Sequence, residues 1–93
     1  MTTVHAAIGN SDDKLSQTRW SEYVYDFRKV MTDLSTSVHG VWYSAPDQPF
    51  QNCCVAVMVN QATMPILRER LADLRKRYDQ DSIALNVSDT ELV

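Results

Sequence analysis

The spacing of apolar positions switches along the chain between two and three-to-four. Thr3 to Ile8 alternates Val4, Ala6 and Ile8 against His5 and Ala7, the period of a half-buried strand. Gly9-Asn10-Ser11-Asp12-Asp13 is a turn cluster. From Ser16 to Leu34 the apolar positions are Trp20, Tyr23/Val24, Phe27, Val30/Met31 and Leu34, which predicts an amphipathic helix with Ser16 or Thr18 as its N-cap. Ser35-Thr36-Ser37 ends it. Val38 to Ser44 reads as a second strand, with Val38, Gly40 and Trp42 on one face and His39, Val41 and Tyr43 on the other. Ala45 to Pro49 is a loop punctuated by two prolines. Phe50 to Val59 is a third strand, with Cys53, Val55, Val57 and Val59 on one side. Asn60 to Thr63 leads into a second helix with Pro65 in its first turn and Met64, Leu67, Leu71, Leu74 and Tyr78 on the helical period. Ser82 to Val87 is the fourth strand, and Ser88 to Val93 extends it or frays.

The order β-α-β-β-α-β is the ferredoxin-like, split-βαβ arrangement, an α+β fold with two helices on one face of a four-stranded antiparallel sheet. A length of 93 residues makes residues 1–93 a single domain. Val4, Ile8, Val38, Trp42, Val55, Val57, Ile83 and Leu85 are expected to face the helices. Ala7, Val41, Tyr43, Cys54, Ala56, Met58 and Ala84 are expected on the other face, which would then be largely apolar. An apolar sheet face of that kind marks association, so a homodimer or higher homo-oligomer is expected.

Composition narrows the function classes. With 23% charged residues the chain is not disordered, and a net charge of −3 argues against a general DNA binder. No apolar run reaches the roughly 18 residues that cross a membrane. Met1 to Ile8 has neither a basic leader nor a long apolar stretch, so no signal peptide or anchor is expected. The adjacent Cys53 and Cys54 point to opposite faces of a strand and cannot bridge, which suits a reducing, cytoplasmic setting.

In the expected topology, the junction after the first strand, the hairpin and the junction before the fourth strand share one end of the sheet. They carry Asn10, Ser11, Asp12 and Asp13; then Ser44, Gln51 and Asn52; then Gln80, Asp81 and Ser82. Arg19, Trp20, Trp42 and Arg77 are expected near the same end. Amides, carboxylates, arginines and tryptophans together suit a small anionic, nucleotide-like ligand, with bases stacked on rings and phosphates held by Arg. Each group also has a plainer use. Asn10 to Asp13 can serve as a turn and cap, the tryptophans as core, Arg77 as a partner of the helix dipole, and Gln80 to Ser82 as a strand start.

No Gly-rich phosphate loop, Cys–His pairing or cofactor motif occurs. His5 and His39 are the candidates for acid–base chemistry. Both are expected on the face away from the helices, with the third strand between them. Asp12, Asp13 and Asp81 carry oxygen ligands for a divalent metal, but at no diagnostic spacing, so no metal site is assigned.

Ile8-Gly9-Asn10-Ser11-Asp12-Asp13-Lys14-Leu15-Ser16-Gln17 and Gln80-Asp81-Ser82-Ile83-Ala84-Leu85 frame Trp42-Tyr43-Ser44 and Gln51-Asn52-Cys53. With these segments the chain resembles, over most of its length, small phage- and prophage-encoded proteins. Some of these counter bacterial immunity by sequestering or cleaving cyclic nucleotide or ADP-ribose signals, as in CBASS and Thoeris defence. The resemblance implies a binder of a nucleotide-derived immune signal in a bacterial host cytoplasm. The alternatives are a phosphodiesterase-like enzyme that cleaves such a signal, or a module that inhibits a host protein through the open sheet face.

Overall fold

The computed structural model describes residues 1–10 and 13–93. Its elements are β1 (Thr2–Gly9), α1 (Gln17–Asp33), β2 (Ser37–Tyr43), β3 (Asn52–Val59), a 3-10 turn (Gln61–Thr63), α2 (Met64–Arg77) and β4 (Ala84–Asp89). The strands form one sheet in the order β2-β3-β1-β4, each pair antiparallel. Among the described residues no helix is long and apolar enough to cross a membrane.

Alternation decides the core. Val4, Ala6 and Ile8 of β1 lie beside Cys53, Val55, Val57 and Val59 of β3, all buried under the helices. Tyr23, Phe27 and Met31 of α1 and Leu67, Leu71 and Leu74 of α2 close over them. The edge strands are covered less. Val38 and Val87 lie on the helix side, across from Val57 and Val4, yet both stay exposed.

β2 departs from simple alternation. Its ladder to β3 pairs Val38 with Val57 but Gly40 with Ala56, so His39 is an extra residue, a β-bulge. One inserted residue exchanges the faces of everything beyond it. Val41 and Tyr43, opposite Val55 and Cys53, therefore join the helix side, and Trp42, opposite Cys54, joins the open side. This reverses the faces that strict parity predicts for Val41, Trp42 and Tyr43. The strand ends also differ from the sequence pattern. β3 starts at Asn52 rather than Phe50, and Ile83 precedes β4, whose ladder to β1 begins at the Ala7–Ala84 pair.

The helix ends use side chains. Ser16 caps α1, its Oγ accepting from the Arg19 N–H at 3.2 Å. α2 ends in a Schellman motif: Gln80 N–H donates to the Arg75 carbonyl at 3.0 Å and Asp79 N–H to that of Lys76 at 3.1 Å. Asp79 holds the left-handed conformation (φ 52°) that glycine usually takes there.

The tyrosines tie the two helices together. The rings of Tyr23 and Tyr78 stack at 4.6 Å, Trp20 meets Tyr23 edge-on, and the Tyr78 hydroxyl donates to Asp26 Oδ2 at 2.5 Å. Burial pushes the Tyr23 phenol up to about 12. Burial, reinforced by the hydrogen bond to Asp26, takes that of Tyr78 to about 12 as well. Below pH 10 both tyrosines are neutral in the folded and unfolded states. Between about pH 10 and 12 the unfolded chain loses these protons first, so stability falls as pH rises. The melting temperature should drop across that window, with tyrosinate absorbance from these two rings appearing together with loss of the circular dichroism signal. Tyr78→Phe should flatten the dependence. An unchanged slope in that variant would contradict the assignment.

Candidate functional site

The three expected junctions do meet at one end of the sheet, and hydrogen bonds among their own side chains organise much of it. Asn10 is fully buried. Its N–H donates to the Gln51 carbonyl at 2.9 Å, continuing the β1–β3 ladder. Its side-chain oxygen accepts from Leu15 N–H at 2.9 Å, while Nδ2 donates to the Leu15 carbonyl at 3.0 Å and to Gln51 Oε1 at 3.2 Å. Gln51 and Gln17 then exchange two amide hydrogen bonds at 3.0 and 2.8 Å. Asn10 is thus a clamp between the β1–α1 junction and the hairpin, and Gln51 is its support.

The other expected site residues divide in the same way. Ser44 and Asn52 close the hairpin, Ser44 N–H donating to the Asn52 carbonyl at 3.1 Å and Asn52 N–H to Ser44 Oγ at 3.2 Å. Trp20 is core. Arg19 lies 4.4 Å over the Tyr78 ring and is paired with Glu22 at 2.7 Å. Arg77, the last residue of α2, faces Asp26 of α1 at 3.5 Å. Trp42 is 53% exposed on the open face, its ring across Gly40 so closely that a Cβ there would meet Cη2 at 2.9 Å. His5 and His39 are both exposed. His5 lies on β1 between Ala56 and Asn86, and His39 is the bulge residue beyond β3. Ser11 and Asp12 lie outside the described residues. Among the described residues no three His, Cys, Asp or Glu come together as a metal site.

What remains accessible at this end is a groove of about 340 Å³. Its lining includes the expected Asn52, Gln80, Asp81 and Ser82 together with Gly9, Ala7 and Ala84. It also includes Lys14, which the sequence pattern did not single out. The Lys14 ammonium donates to the Asp79 carbonyl at 3.2 Å and stands 4.0 Å from the fully exposed Asp81 carboxylate. A surface pair at that distance is weak and is screened by salt, so the ammonium is available to a competing anion.

No family model and no curated protein matches the chain. Solved structures do. A hydroxynitrile lyase from Passiflora edulis aligns with a TM-score of 0.64 at 10% identity, over 99% of this chain and 95% of its own. The de novo designed protein Foldit4 gives 0.64 at 15% identity, over 97% and 98%. A protein of unknown function from Thermobifida fusca, described as a dimeric ferredoxin-like protein, gives 0.60 at 11% identity, over 97% and 92%. The chain has the ferredoxin-like fold. A lyase and a designed protein on one scaffold show how little this fold says about activity.

Two outcomes test the local assignments. Asn10→Ala removes a buried amide and leaves Leu15 unpaired, and should cost about 1–3 kcal/mol in denaturant unfolding. A loss under about 0.5 kcal/mol would mean that the clamp is dispensable. Burial pushes the Cys53 thiol up to about 11. Cys53 should therefore resist a thiol reagent at pH 8 until the protein unfolds. Rapid labelling of Cys53 in native protein, located by mass spectrometry, would contradict this.

Proposed function

We propose that this protein is a homodimeric small-ligand binder that sequesters a nucleotide-like anion. The supporting observation is that Ala7 and Ala84 belong both to the apolar open face and to the Lys14 groove. Ala7, Cys54, Ala56, Met58 and Ala84, with Trp42 at the edge, form an apolar strip on this face beside the polar Thr3, His5, Asn86 and Ser88, where an antiparallel sheet in contact with water would alternate to polar residues throughout. A second copy packed on this face would roof the groove and strengthen Lys14's attraction for an anion by excluding water. The Thermobifida fusca neighbour is described as dimeric, which supports the dimer. A nucleotide-derived signal, the class that the resemblance to phage-encoded binders implies, is the first ligand to test. Cleavage is the less favoured reading, because β3 separates His5 from His39.

Sedimentation should show twice the chain mass, and Trp42→Asp, which places a charge in the interface, should give monomers. A wild-type protein that stays monomeric at about 100 μM would remove the dimer from this reading, since stable interfaces reach far lower Kd values. Calorimetry against cyclic dinucleotides and cyclic ADP-ribose isomers should give one bound ligand that is recovered intact on heating. Lys14→Ala should weaken binding about tenfold, as the loss of one charge-assisted contact does. Folded dimer giving no heat with any of the panel would overturn the ligand class.

A further inference from the structure

A second groove lies between α1 and the edge strand β2. Its volume, about 570 Å³, falls in the range of small-molecule sites. Arg28 stands in it, flanked by Tyr25 from α1 and Tyr43 from β2, with half-buried Val24 also in the lining. Tyr25 is 68% exposed and Tyr43 55%. Two large aromatic rings beside one guanidinium are not needed by the core, which closes without them.

The charges in this groove are unevenly matched. Lys29 is held by Asp33 at 3.0 Å, so that cation and that carboxylate satisfy each other. Arg28 forms no ion pair among the described residues. Its Nη1 donates to the Tyr43 hydroxyl at 3.1 Å, which holds the guanidinium beside the ring. A guanidinium has five N–H donors in a planar fork. The remaining donors of Arg28 have no protein partner among the described residues. An anchored, unpaired arginine next to two exposed rings matches an anion attached directly to an aromatic ring. The fork takes the anion, and the tyrosines take the ring by stacking or edge contact.

We propose that the α1–β2 groove binds an aryl phosphate, with Arg28 on the phosphate and Tyr25 and Tyr43 against the ring. The site does not involve the open sheet face or the Lys14 groove, so it stands or fails separately from the function proposed above. A free aryl phosphate and a phosphotyrosine side chain offer the same chemistry.

Titration of the isotope-labelled protein with phenyl phosphate, followed by amide, arginine side-chain and tyrosine-ring resonances, tests the site. Shifts should centre on Tyr25, Arg28 and Tyr43. Inorganic phosphate and cyclohexyl phosphate should bind several-fold more weakly, lacking an aromatic ring to stack. Arg28→Ala should weaken phenyl phosphate about tenfold or more, with the melting temperature unchanged because the side chain is exposed. A capped phosphotyrosine peptide that binds more tightly than phenyl phosphate makes a protein segment the source, and equal affinity makes it a free ligand; both support the site. Equal binding of the phenyl and cyclohexyl esters, undiminished binding by Arg28→Ala, or shifts confined to the Lys14 groove would each overturn it.

Discussion

A four-stranded sheet has two faces, and the two helices of this chain cover one. The rest of the structure follows from that imbalance. On the covered side, β1 and β3 supply Val4, Ala6, Ile8, Cys53, Val55, Val57 and Val59 to a core closed by α1 and α2. On the other side the same two strands present Ala7, Cys54, Ala56 and Met58. Central strands in contact with water on one face normally alternate to polar residues. These do so only in part, with His5 and Thr3, so the open face keeps an apolar strip that neither helix covers.

The bulge at His39 settles how the edge strand serves the two sides. Without it, Trp42 would compete for space under α1, and Tyr43 would point away from the helices. With it, Trp42 lies flat over Gly40 on the open face, beside the almost fully buried Ala56, and the Tyr43 hydroxyl reaches Arg28. One inserted residue therefore decides which of the two neighbouring aromatics lies on which side of the sheet. It shapes both the candidate interface and the α1–β2 groove.

Regular periodicity made the element order, the antiparallel sheet and the central core legible in the sequence. The leucines of α2 and the valines of β3 could take few other places. The bulge was not legible. Val38-His39-Gly40-Val41-Trp42-Tyr43 alternates acceptably in either register, and only pairing with β3 distinguishes them. The expected site was half legible for a related reason. Topology brings the junctions together, but residue type does not reveal which polar groups turn inward. Asn10 looked like a ligand contact and is a clamp. Arg19 and Arg77 looked like anion binders, yet they face Glu22 and Asp26. Lys14 and Arg28, which no pattern marked, stand accessible in the two grooves.

That contrast also indicates where function can reside on a scaffold shared by a lyase and a designed protein. A side chain whose hydrogen bonds and charge are satisfied by the fold will be kept for stability whatever the protein does. Asn10, Gln51, Ser44 and Gln80, whose Nε2 donates to the Tyr78 carbonyl, are of this kind, and so is the Tyr78–Asp26 pair that joins the helices. Lys14 has only an exposed bond to the Asp79 carbonyl and the weak Asp81 pair, and Arg28 has only a tyrosine hydroxyl. Neither contributes much to folding where it stands, since exposed charges at such sites are worth well under about 1 kcal/mol. In a chain of net charge −3, cations that the fold does not need, set in two separate grooves, are the residues on which selection for an anionic ligand would act.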